Sequence, residues 1–153
     1  MSNPKQGLAS LSHFFDVAAT PVAQLVTRLA FGQAFALTGW GKLHNLENTT
    51  KFFESLGIPA ANVQAPMVAT IEFVGGLLLV LGLGTRFAAL LLTGTMVVAL
   101  LTAHGSDIAA AFQLDKGFDA AAPIPYLVAT LWLLAKGAGT LSLDALINKK
   151  RGG

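Results

Sequence analysis

Residues 63–83 read VQAPMVATIEFVGGLLLVLGL, and Glu72 is the one charged residue among them. An α-helix rises about 1.5 Å per residue, so this stretch is long enough to cross the ~30 Å hydrocarbon layer of a bilayer. It has almost no polar face, which a helix of a soluble bundle would need. Three further stretches share its character: residues 21–42, 86–104 and 123–141. They are too long, and too far from strict alternation, for membrane strands. The fold expected is all-α, a four-transmembrane-helix bundle occupying residues 1–153 as a single integral membrane domain.

Composition supports that expectation. Of 153 residues, 54% are hydrophobic and 12% charged, against roughly 25% charged in ordinary soluble domains. The formal net charge is +2, with the basic residues scattered or near the C-terminus, so no basic patch invites a nucleic acid. The chain has no cysteine, which excludes disulfides, thiol nucleophiles and Cys-ligated zinc or iron–sulfur centres.

The connecting segments carry their own signals. Leu8, Leu11, Phe15 and Ala18 recur at helical spacing, predicting a short amphipathic helix at the membrane surface rather than a cleavable signal sequence. Within 43–62, residues 48–56 predict a second short helix with Phe52, Phe53 and Leu56 on its apolar side, stopped by Gly57-Ile58-Pro59. Gly84-Thr85 makes a tight hairpin, residues 105–122 form an acidic loop, and residues 148–153 read as a basic tail. Lys5, Arg86, Lys136, Lys149, Lys150 and Arg151 fall on one side of such a bundle, and Lys42, Lys51 and Lys116 on the other. The positive-inside rule then puts both termini in the cytoplasm.

Two charges remain inside the spans, Arg28 and Glu72. A charge at the bilayer centre is unfavourable by about 2.5–3.5 kcal/mol on insertion scales, so each calls for a reason. Counted from the span ends, Arg28 lies ~10 Å from the inner surface and Glu72 ~13 Å from the outer one, which leaves under ~10 Å between them in depth. An Arg28–Glu72 pair is therefore expected. Arg28, Gly32, Phe35, Gly39 and Lys42 form one helical stripe, and Ala65, Ala69, Glu72 and Gly76 another. Small residues on both let the backbones approach closely. With His104 and Tyr126 at the outer level, Arg28, Lys42, Glu72, His104 and Tyr126 are expected to line one outward cavity. The plainer readings are that the Arg–Glu pair only fixes register, that Lys42 snorkels to the headgroups and that His104 complements a helix dipole. No metal site is expected, because His13, His44 and His104 are far apart.

Three stretches resemble the DoxX family of small four-helix membrane proteins. They are Arg28-Leu-Ala-Phe-Gly32 with Phe35, Gly39 and Lys42-Leu43; Glu72-Phe-Val-Gly75-Gly76 with Gly82-Leu-Gly-Thr-Arg86; and Gly137-Ala-Gly139-Thr-Leu-Ser142-Leu-Asp144. Residues 52–59, FFESLGIP, are similar as well. The resemblance implies four spans, a bacterial inner-membrane location and a role associated with membrane oxidoreductases. Two functions compete. In one, the chain is a membrane subunit of a quinone-linked oxidoreductase system: Arg28, Lys42 and Tyr126 bind the quinone substrate, and Glu72 and His104 exchange protons. The sequence has no motif for a flavin, haem or nicotinamide, so a soluble or membrane partner would carry the redox cofactor. In the other, the chain is a non-enzymatic anchor for a soluble enzyme or a small-molecule carrier. Exposed apolar helices would also suit packing on copies of the same chain.

Overall fold

The computed structural model describes residue 17, residues 19–105 and residues 121–151, and these are helical with no strand among them. In chain order the helices are α1 (Thr20–His44), α2 (Leu46–Ser55), α3 (Ala61–Leu81), α4 (Thr85–Thr102), α5 (Pro123–Lys136) and α6 (Leu143–Arg151). The expected N-terminal amphipathic helix and most of the acidic loop lie outside the described residues. The all-helical expectation holds, and four of the elements fall close to the expected spans. α3 and α4 are each long and apolar enough to cross a membrane.

Local sequence explains the boundaries. Pro21 sits in the first turn of α1, where its missing N–H is not needed, and Lys42 and His44 occupy the last turn. α3 ends on Gly82 at φ 66°, with Gly82 N–H donating to Leu79 and Leu83 N–H to Leu78. That 5→2 and 6→1 pattern satisfies the last carbonyls of the helix. Gly84, also left-handed at φ 56°, then starts α4.

The fourth expected span is shorter than the sequence suggested. α5 has 14 residues rather than running to residue 141. Gly137 and Gly139 both take φ 78°, which a right-handed helix cannot accommodate. Residues 137–142 instead leave the helix and meet α1 at Gln24 and Arg28. The basic tail is likewise helical through Arg151, as α6.

α1 and α3 make the most extensive contact, antiparallel, with α4 against α5 next and α3 against α4 after that. The bundle is thus two close pairs joined more loosely. Glycines set the tighter one. A Cβ on Gly76 would lie 2.6 Å from Gly32 O, and one on Gly39 would fall on the backbone of Phe73. The core between the pairs holds Phe35, Leu79, Leu92, Met96 and Leu133. The outer surface is apolar on every side, with Val22, Leu37, Phe87, Leu101 and Val128 all exposed. Such an exterior is suited to lipid rather than water.

Candidate functional site

The looser joint between the two helix pairs opens, at the end where α1 finishes, into a cavity of about 800 Å³. That is within the ~300–1,000 Å³ usual for small-molecule sites. Phe35, Ile71, Met96 and Val68 give it apolar walls, and α2 lies across it with Thr49, Phe52 and Phe53. α2 can do so because it follows α1 after Asn45 alone and turns its apolar side inward, burying Phe53.

One wall is charged. Lys42 Nζ donates to Glu72 Oε1 at 2.6 Å and to Oε2 at 2.7 Å. Glu72 is 2% exposed, and the Lys42 side chain 29%. The ammonium has three donors, so this geometry leaves one for another acceptor. Tyr126 packs edge-on against Phe31 and Phe35, at ring distances of 5.4 and 5.1 Å, and borders the same cavity. His104, just beyond α4, also borders it. Among the described residues no group of His, Cys, Asp and Glu could hold a metal ion.

Four of the five residues expected around one cavity therefore meet there: Lys42, Glu72, His104 and Tyr126. Arg28 does not, and the expected Arg28–Glu72 pair is replaced by Lys42–Glu72. The cause is the register of α1 on α3. Gly32 lies against Gly76 and Val80, and Gly39 against Ala69 and Phe73. Continuing that antiparallel register puts Arg28 opposite Gly82, about 15 Å along the axis from Glu72. Arg28 is 1% exposed, its Nη2 donates to Leu141 O, and its Nη1 rests on the Gly82 backbone. It fastens α1 to the loop after α5.

The stretch that carries the Lys42–Glu72 wall is also the stretch that known proteins share, for a DoxX family model matches residues 23–105. The chain belongs to the DoxX family. A Bacillus subtilis relative named "Putative oxidoreductase CatD" is 31% identical over 128 residues, 84% of this chain and 89% of its own. Inner membrane protein YqjF of Escherichia coli is 30% identical over 132 residues, 84% of this chain and 95% of its own. Inner membrane protein YphA of the same organism is 29% identical over 136 residues, 88% and 97% of the two chains. No solved structure matches. With its apolar exterior, this DoxX chain is a membrane protein. The matched region contains Lys42, Glu72 and His104, whereas Tyr126 follows it on α5.

Sequence reading missed a second polar cluster in this DoxX chain. The Asp144 carboxylate accepts from Gly84 N–H at 2.8 Å and Thr85 N–H at 3.1 Å, capping α4 from the first turn of α6. Gln24 Nε2 donates to the carbonyls of Lys136 and Gly137, both at 3.3 Å. The available signal was Gly137-Ala-Gly139, whose two glycines end α5.

Proposed function

We propose that this DoxX protein is the membrane subunit of a quinone-linked oxidoreductase system and that the cavity beside Lys42 and Glu72 holds the quinone. In this reading α1, α3, α4 and α5 cross the bacterial inner membrane as a bundle, with both chain ends in the cytoplasm. Arg86, Lys136 and the basic residues of α6 lie at the end away from the cavity, which supports that orientation by the positive-inside rule. The cavity then opens at the outer face.

The observation that carries the proposal is the pairing of apolar walls with one Lys–Glu pair whose carboxylate is buried. A quinone ring is apolar except for two carbonyl oxygens. The third donor of Lys42 is placed for one of them, with Tyr126 packed beside the ring. Reduction to the quinol takes up two electrons and two protons. The electrons come from a reduced redox cofactor on a partner subunit, which is oxidised in turn. The protons enter from water at the mouth, past His104 and the Lys42–Glu72 pair, in keeping with the role of intramembrane acids as relays.

Titration of the purified protein in lipid nanodiscs with a short-chain quinone, followed by tryptophan fluorescence, tests the reading. Lys42→Met is expected to weaken binding about tenfold or more, since a hydrogen bond from a charged donor contributes roughly 1.5–3 kcal/mol. Equal binding by the variant and the parent protein would remove the quinone from this site. A second reading is favoured by the exposed Phe52 on α2, a foothold for a soluble enzyme anchored without electron transfer through this chain. Co-purification of such an enzyme, with no quinone binding, would favour the anchor. Solute uptake into sealed vesicles without an electron acceptor would favour a carrier.

A further inference from the structure

The end of the bundle away from the cavity holds a second pocket, of about 630 Å³, between the start of α1, the start of α4 and the loop after α5. Its lining combines Arg86 and Lys136 with Gln24, Thr85 and Asp144. Thr85 is fully buried, and its Oγ1 has no hydrogen-bond partner. Among the described residues, the other buried side-chain polar atoms in that condition are Nε and Nη1 of Arg28, which lie behind the same loop. A buried donor left unsatisfied is unfavourable, and a bound ion or ligand is one way to satisfy it. Of these two residues, Thr85 belongs to the lining of the pocket, and its hydroxyl has a proton to donate.

The charge balance specifies the acceptor. Among the described residues that line the pocket, Arg86 and Lys136 are the cations and Asp144 is the carboxylate. Both oxygens of Asp144 are already engaged by the N-terminus of α4. Arg86 spends one donor on Ala135 O at 3.3 Å, and the Lys136 ammonium lies over the Trp132 ring at 5.7 Å. Both side chains are exposed and retain further donors. Clustered guanidinium and ammonium donors beside a hydroxyl suit tetrahedral phosphate oxygens. The volume accommodates a phosphate with a small polyol attached.

We propose that this pocket binds the phosphate of an anionic phosphoester, held by Arg86 and Lys136 with Thr85 Oγ1 donating a hydrogen bond. A membrane phospholipid headgroup and a water-soluble phosphoester share that chemistry. Native mass spectrometry of the full chain in detergent separates the two sources. The probes are dioleoyl phosphatidylglycerol, dioleoyl phosphatidylcholine and glycerol 3-phosphate, and the variants are Arg86→Gln/Lys136→Gln, Lys136→Gln, Thr85→Val and Thr85→Ser. The expected result is one tightly retained phosphatidylglycerol or glycerol phosphate, at least tenfold weaker in the double variant and several-fold weaker in Thr85→Val, with Thr85→Ser close to the parent protein. Retention of phosphatidylglycerol alone identifies a lipid headgroup, and of glycerol 3-phosphate a soluble ligand; either supports the proposal. Retention of phosphatidylcholine as strong as phosphatidylglycerol, or no adduct with any probe, overturns it. So does undiminished binding by the double variant or, should that variant fail to fold, by Lys136→Gln alone.

Discussion

The Lys42 ammonium lies 2.6 and 2.7 Å from the two oxygens of the Glu72 carboxylate, joining the last turn of α1 to the middle of α3. Two consequences follow from this pair. Glu72 is buried with a bidentate partner, so its charge is compensated inside the bundle. Lys42 is held against α3 rather than extended away from the helices. The cavity is thereby given one fixed polar wall among apolar ones, which is what an oriented, mostly apolar ligand requires.

Breaking the pair from one side should be worse than removing it. Lys42→Met leaves a buried carboxylate uncompensated and is expected to destabilise the protein by about 3–5 kcal/mol. Lys42→Met/Glu72→Leu, which leaves no charge at this position, should recover much of that loss. Unfolding by a denaturing detergent, followed by circular dichroism, measures both. A single variant as stable as the parent protein would mean that Glu72 does not depend on Lys42.

The α1–α3 contact should tolerate no added methyl at its glycines. A Cβ on Gly76 would lie 2.6 Å from Gly32 O and would also press on the Ala36 backbone, which no side-chain movement can relieve. Gly76→Ala is expected to lower stability by about 1–3 kcal/mol. Gly94, where a Cβ would meet open space, is the control, and Gly94→Ala should fall within about 0.5 kcal/mol of the parent. Equal melting temperatures for the two variants would contradict the close antiparallel register.

That register also marks where sequence reading stopped being sufficient. The helices were legible because their lipid-facing positions are apolar all round, and the stripes were legible because Gly32, Gly39 and Gly76 recur at helical spacing. Which residue faces which was not. Depths counted from the ends of an apolar run carry the uncertainty of both ends, and they placed Arg28 and Glu72 within reach of each other. Glycine-to-glycine contact sets the offset instead, and it brings Arg28 to Gly82 and Lys42 to Glu72. The end of α5 was obscured for a related reason. Ala138 and Leu141 prolong the apolar run, while the backbone of Gly137 and Gly139 has already left the helix.

Arg28 should behave as a fastener rather than a quinone ligand. Its Nη2 donates to Leu141 O, and it lies well away from the cavity beside Glu72. Arg28→Leu is expected to raise hydrogen exchange across residues 137–142 and to lower stability, while leaving short-chain quinone binding within about twofold of the parent protein. Lys42→Met, besides its loss of stability, should lower quinone affinity about tenfold or more, the loss expected for a charge-assisted hydrogen bond. A larger loss of quinone binding in Arg28→Leu than in Lys42→Met would return Arg28 to the site.

Asp144 should matter to α4 although it lies on another helix. Its carboxylate accepts the N–H groups of Gly84 and Thr85, which the first turn of α4 cannot satisfy internally. It also places negative charge at the positive end of the helix dipole. Removal of a capping side chain is typically unfavourable by about 0.5–2 kcal/mol, so Asp144→Ala should destabilise the protein by that amount. The effect should be local in a way that a general loss of packing would not be. Amide exchange should accelerate at Gly84 and Thr85 and decay within one turn, leaving the middle of α4 near Leu92 protected. Asp144→Asn, which keeps one acceptor oxygen and loses the charge, should fall between the two. Uniform acceleration along the whole of α4 would instead mean that α6 supports the helix by packing, not by the cap.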